Sequence, residues 1–167
     1  MFKRFIVFIL YSVAFTLAAC SSNPNLQTRG ADYIQGEWQQ EQNSVNSKLI
    51  NYTLYHFKFS CDSFYVSMQT HSKVNYGPDT CMNSGRWTEY AKGKYQQHQD
   101  TLALKGFFCN ADYTLKNEGG CFRSGVYEDY FKTLKQADTL VKLTSTSSVL
   151  PINLHLIKST NCVPKPL

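Results

Sequence analysis

Asp62-Ser63-Phe64-Tyr65-Val66-Ser67-Met68-Gln69-Thr70 is the stretch on which the fold class turns. Phe64, Val66 and Met68 fall on one parity and Tyr65, Ser67 and Gln69 on the other. That period of 2 puts the apolar set on one face of a strand, where a helix would need a period near 3.6. The same alternation recurs at Leu102, Leu104 and Gly106 against Ala103, Lys105 and Phe107, and at Ile152, Leu154 and Leu156 against Asn153 and His155. No stretch from Ile34 onward sustains a helical period. The pattern predicts strands near 34–41, 50–60, 63–70, 86–97, 101–108, 121–133, 139–144 and 151–158. Strands at this spacing, in a chain of 167 residues, describe a single all-β domain.

Two internal repeats fix how the strands connect. Asp62-Ser63-Phe64, Asp100-Thr101-Leu102 and Asp138-Thr139-Leu140 each follow one strand and open the next. Asp can hydrogen-bond its own backbone two residues on, so each marks a tight reversal. The second repeat is Gly-x-aromatic, at Gly36-Glu37-Trp38, Gly85-Arg86-Trp87, Gly93-Lys94-Tyr95, Gly106-Phe107-Phe108 and Gly125-Val126-Tyr127. A strand Gly permits the bend of a closing barrel, and the aromatic two residues on shares its face. The eight-strand spacing fits an all-β sandwich or barrel. The repeats support a hairpin meander over 33–167, which reads as an eight-stranded antiparallel up-and-down barrel with its longest connections at 71–85 and 109–120.

The N-terminus reads differently. Met1-Phe2-Lys3-Arg4 is basic and Phe5 to Leu17 nearly all apolar, too short for a permanent span of roughly 20 residues. Residues 1–19 therefore read as a signal peptide. Its end, Leu17-Ala18-Ala19-Cys20, resembles the lipobox of bacterial lipoproteins. That resemblance implies cleavage before Cys20 and acylation of its sulfur and its new amine. Several acyl chains anchor stably where one does not. Residues 20–32, polar and carrying Pro24 and Gly30, read as the lipid anchor and a flexible tether. Ser21 and Ser22 stand where many inner-membrane lipoproteins carry Asp, which implies an outer-membrane address facing the periplasm. Without Lys3 and Arg4, Lys plus Arg number 15 against 12 Asp plus Glu, so the net charge is +3 and dispersed. That is no nucleic-acid footprint.

Gly36-Glu37-Trp38 resembles the Gly-x-Trp opening of lipocalins, in which the Trp closes one barrel end. The resemblance implies a lumen that holds one small ligand. Trp38, Phe57, Phe64, Met68 and Trp87 are the expected inward-facing residues, either lining such a lumen or filling the barrel completely. The segments Asn51-Tyr52-Thr53-Leu54, Cys61-Asp62-Ser63-Phe64-Tyr65 and Trp87-Thr88-Glu89-Tyr90-Ala91-Lys92-Gly93 look like a group of small bacterial lipoproteins, some of them named fumarate hydratase. The chain lacks the Gly-Ser-Ser-x-Met-Pro loop of oxygen-stable fumarases, and its exported Cys do not suit the iron–sulfur kind. That activity is not expected.

Five Cys follow Cys20, an odd number in an oxidising compartment. In a meander, alternate connections share an end. Cys61 and Cys162 then lie at one end, and Cys81, Cys109 and Cys121 at the other, which predicts Cys61–Cys162. Cys121 pairs with Cys81 or Cys109, with Cys81 favoured because Cys109–Cys121 closes only a short loop. No Cys-x-x-Cys spacing occurs and His56, His71, His98 and His155 are scattered, so neither a metal nor a cofactor is expected. Glu128-Asp129 is an acidic pair, but adjacent strand residues face opposite ways and make a poor acid/base couple. The expected function is a lipid-anchored barrel that binds a small apolar or amphipathic molecule. The alternative is an envelope assembly protein that binds a protein partner through a sheet edge or its long loops, with an enzyme third.

Overall fold

The computed structural model describes residues 26–74, 77, 79–117, 120–146 and 150–166. The signal segment and Cys20 lie outside the described residues. The strands are β1 Gly36–Gln40, β2 Asn51–Ser60, β3 Ser63–Ser72, β4 Arg86–His98, β5 Thr101–Cys109, β6 Val126–Ala137, β7 Leu140–Ser145 and β8 Ile152–Ser159. Each pairs antiparallel with its sequence neighbour, and β8 returns to β1 through Gly36↔Ser159 and Gln40↔Leu154. The result is a closed eight-stranded up-and-down barrel.

Its two ends differ. At one, β2–β3, β4–β5 and β6–β7 are joined by two-residue turns, Cys61 and Gln99 taking positive φ of 55° and 54°. At the other lie the long connections 41–50, 73–85, 110–125 and 146–151. Closure requires tight curvature between β4 and β5, where Gly93 and Gly106 pair. A Cβ on Gly106 would stand 1.9 Å from the Lys92 carbonyl oxygen, so the two backbones approach as only glycine allows.

The aromatics that follow these glycines fill the interior: Trp38, Tyr95, Phe108 and Tyr127 are all buried. With Phe57, Phe59, Phe64, Phe131, Leu102, Leu104, Leu143 and Leu154 they form one continuous core. The tight-turn end is plugged by the N-terminal segment. A short 3-10 turn, Asp32–Ile34, sets Ile34 into the core, and the Trp38 indole donates to the Ile34 carbonyl at 2.7 Å. Gln35 is the latch. Its amide donates to the Cys61 carbonyl at 2.9 Å and the Tyr95 hydroxyl at 2.7 Å, and its oxygen accepts from the Cys61 N–H at 2.7 Å.

Three segments depart from the sequence reading. β6 starts at Val126 rather than near 121, because Phe122 and Gly125 take positive φ of 63° and 82° and Cys121 is bound to Cys81. A short helix, Ser44–Lys48, stands in the β1–β2 connection, started by Asn43, whose side chain accepts from the Val45 and Asn46 N–H groups. From Leu26 on, the expected tether lies against the barrel. Gln27 N–H donates to the Lys165 carbonyl at 3.0 Å, and Thr28 N–H to the Asp62 carboxylate at 3.1 Å.

Candidate functional site at the open end

The core ends below the long-connection end, and the lumen there turns polar. Glu89 on β4 and Asp129 on β6 share the inward parity of Trp87 and Ala91 and of Tyr127 and Phe131. Glu89 is buried but not alone. Arg123 reaches in from the 110–125 connection, donating from Nη2 at 2.8 Å, Nε at 3.0 Å and its backbone N–H at 3.1 Å. Burial pushes the Glu89 carboxyl upward, and the Arg123 hydrogen bonds and charge outweigh it, so Glu89 is held below the usual carboxylate range. The Trp87 indole N–H, buried on the same face of β4, has no hydrogen-bond partner among the described residues. Arg123 also lies over the Phe108 ring, 4.7 Å from its centroid. The Cys81–Cys121 bond, with Cα atoms 5.4 Å apart, ties this connection to the one before β4.

Beside this ion pair opens a cavity of about 440 Å³. Its lining includes the polar Gln40, Thr53, Tyr55, Asp129 and Ser145, and sets the apolar Val45, Leu49, Leu150 and Ile152 among Asn43, Asn46, Asn51 and Asn153. Gln40 Oε1 accepts from the Tyr55 N–H at 3.3 Å. Asp129 Oδ1 accepts from the Tyr130 N–H at 2.9 Å and, more distantly, from the Ser145 hydroxyl at 3.4 Å. Burial raises the Asp129 carboxyl above its ordinary value, only partly opposed by those bonds and by Arg123. Tyr55 is raised too, by burial first and then by the Asp129 charge. The Tyr127 hydroxyl, fully buried behind this wall, has no hydrogen-bond partner among the described residues. A wider groove of about 690 Å³ runs along the N-terminal strap beside Gln96–Gln99 and is more open to solvent.

The five residues singled out from sequence do not line the cavity. Trp38, Phe57, Phe64 and Met68 point inward, but they are at most 2% exposed and belong to the packed core. Trp87 is half-buried at the barrel mouth, stacked on Phe122 with centroids 4.7 Å apart. Cys61 and Cys162 are joined at the tight-turn end, Cα atoms 4.8 Å apart, and Cys109 is a buried free thiol whose pKa burial raises. Among the described residues no cluster of His, Cys, Asp or Glu is placed to hold a metal ion. Sequence reasoning weighed Asp129 only as half of a poor acid/base couple with Glu128 and did not single out Glu89. The available signal was an acidic residue on the apolar parity of a strand, which a half-solvated barrel interior allows and a dry one does not. Of the Glu128-Asp129 pair, Glu128 faces out to Lys105 at 2.8 Å while Asp129 faces in.

No family model, curated protein or solved structure matches this chain.

Proposed function

We propose that this chain is a lipid-anchored envelope protein whose barrel binds a small amphipathic molecule at its open end. The observation that carries the reading is the cavity of about 440 Å³, within the size range of small-molecule sites, with both polar and apolar side chains in its lining. The packed aromatic core leaves that mouth as the place for a ligand, rather than the whole lumen. Two disulfides fit an oxidising extracytoplasmic compartment. The Leu17-Ala18-Ala19-Cys20 motif supports the anchor and the outer-membrane address. The pairing of β1 with β8 closes the barrel, so a partner strand would find only short edges at the open end, such as Asn51–Tyr55 of β2 beyond its pairing with β1.

Native mass spectrometry of the chain isolated from its own host tests the ligand. A reproducible added mass is expected, lost when Asp129 and Tyr55 are both replaced; a bare chain that takes up no added amphiphile sinks the binding reading. The anchor is tested separately. A Cys20→Ala chain is expected to lose its acyl mass and leave the membrane fraction, and retention there at high salt would remove Cys20 as the anchor.

A further inference from the structure

The charges around the cavity do not balance. Among the described residues that line it, Asp129 is the single ionisable acid or base apart from the tyrosines, with no Lys, Arg or His. Arg123 is the near cation, and its guanidinium is committed to Glu89 through two hydrogen bonds. Among the described residues Asp129 has no ion-pair partner. It accepts one N–H from its own chain neighbour and one distant hydroxyl, and a carboxylate has room for about four acceptor contacts. Close behind it the Tyr127 hydroxyl is buried without a hydrogen-bond partner among the described residues. Tyr55 lines the same wall, its ring stacked on Phe57 with centroids 5.7 Å apart.

We infer that the cavity takes a ligand bearing a cationic amine, with Asp129 as its counter-ion and the apolar Val45, Leu49 and Leu150 covering the attached carbon chain. This rests on the reading of the cavity as a ligand site and narrows its chemistry. A carboxylate ligand would bring a second negative charge against Asp129, and a neutral one would leave Asp129 unpaired.

The test uses three probes of equal chain length, n-butylammonium, 1-butanol and butyrate, titrated at neutral pH into the mature chain as its host makes it. Shifts of the Tyr55, Asp129 and Ser145 amides are read by NMR. Butylammonium is expected to bind at least about tenfold tighter than butanol, or about 1.4 kcal/mol, and butyrate weakest. Asp129→Asn should erase the ammonium advantage and leave butanol unchanged, while Asp129→Glu should retain a preference for the cation. Ammonium binding no better than butanol, or an advantage that survives Asp129→Asn, overturns the amine inference and leaves the cavity standing. Absence of shifts with all three probes removes the cavity as a ligand site, and the inference with it.

Discussion

Arg123→Met isolates what holds the open end together. The substitution keeps much of the aliphatic contact with Phe108 and removes the charge that faces Glu89, whose side chain is 7% exposed. Breaking a buried pair from one side costs about 3–5 kcal/mol when both partners are enclosed. Here the Arg123 side chain is 57% exposed, so water screens part of the pair. Protonation sets a ceiling. From an ordinary value of 4.5, Glu89 can escape its charge at pH 7 for about 3.4 kcal/mol, and at pH 5 for about 0.7 kcal/mol. We expect a loss of about 2–3 kcal/mol at pH 7, which lowers Tm by about 6–12 °C for a domain of this size. At pH 5 most of that deficit should vanish. The sign follows from the two states. With Arg123 present the folded Glu89 is depressed, so its contribution is lost as pH falls through that lowered value. Without Arg123 burial raises it, so acid relieves the variant. Thermal unfolding by circular dichroism at both pH values reads this directly, and Glu89→Gln added to Arg123→Met should recover most of the loss. An equal deficit at both pH values would refute the argument, because the damage would then be lost packing and not a stranded charge.

Replacing Cys61 and Cys162 by Ser frees a loop of sequence separation 101, which loop-closure entropy puts at up to about 4–5 kcal/mol; non-reducing peptide mapping and denaturant unfolding check the bond and its value. Gly106→Ala should destabilise by about 3 kcal/mol, since its Cβ meets backbone rather than a movable side chain; a chevron or melt within 0.5 kcal/mol of the parent, a threshold taken from ordinary surface changes, would mean the β4–β5 approach is looser than described. Asp129→Asn should stabilise the unliganded chain at neutral pH. The folded carboxyl is raised, so its favourable contribution exists below the ordinary value of 3.8 and is lost as pH rises through the folded one, and the two proteins should converge near pH 3 in acid unfolding.

Why so much of the barrel is legible in the sequence, and so little of the site, has a physical reason. Strand alternation is local: Phe64, Val66 and Met68 declare their face without help from distant residues, and meander topology then assigns Cys61 and Cys162 to one end. The start of β6 is not local. It is delayed by the left-handed turn of Phe122 and by the bond from Cys121 to Cys81, forty residues away. The helix Ser44–Lys48 rests on one Asn43 cap in a five-residue segment, too short to show a period. For the site, parity places Asp129 inside but says nothing about depth. Depth is decided by which end the N-terminal segment plugs, and that depends on Gln35 finding Cys61 and Tyr95 across the fold.

The clasp between Gln27 and Lys165 gives the molecule a compass. Leu26, bridged to Pro166, is six residues beyond Cys20, and six residues reach at most about 20 Å. For a chain acylated at Cys20, the leash is therefore short and is fastened at the tight-turn end. A barrel standing on that end would hold its mouth outward. β4, of 13 residues, tilted as barrel strands are, sets the mouth about 30 Å farther out. A ligand would then arrive from the aqueous side, and one released by the leaflet beneath would have to travel around the outside of the wall to be caught.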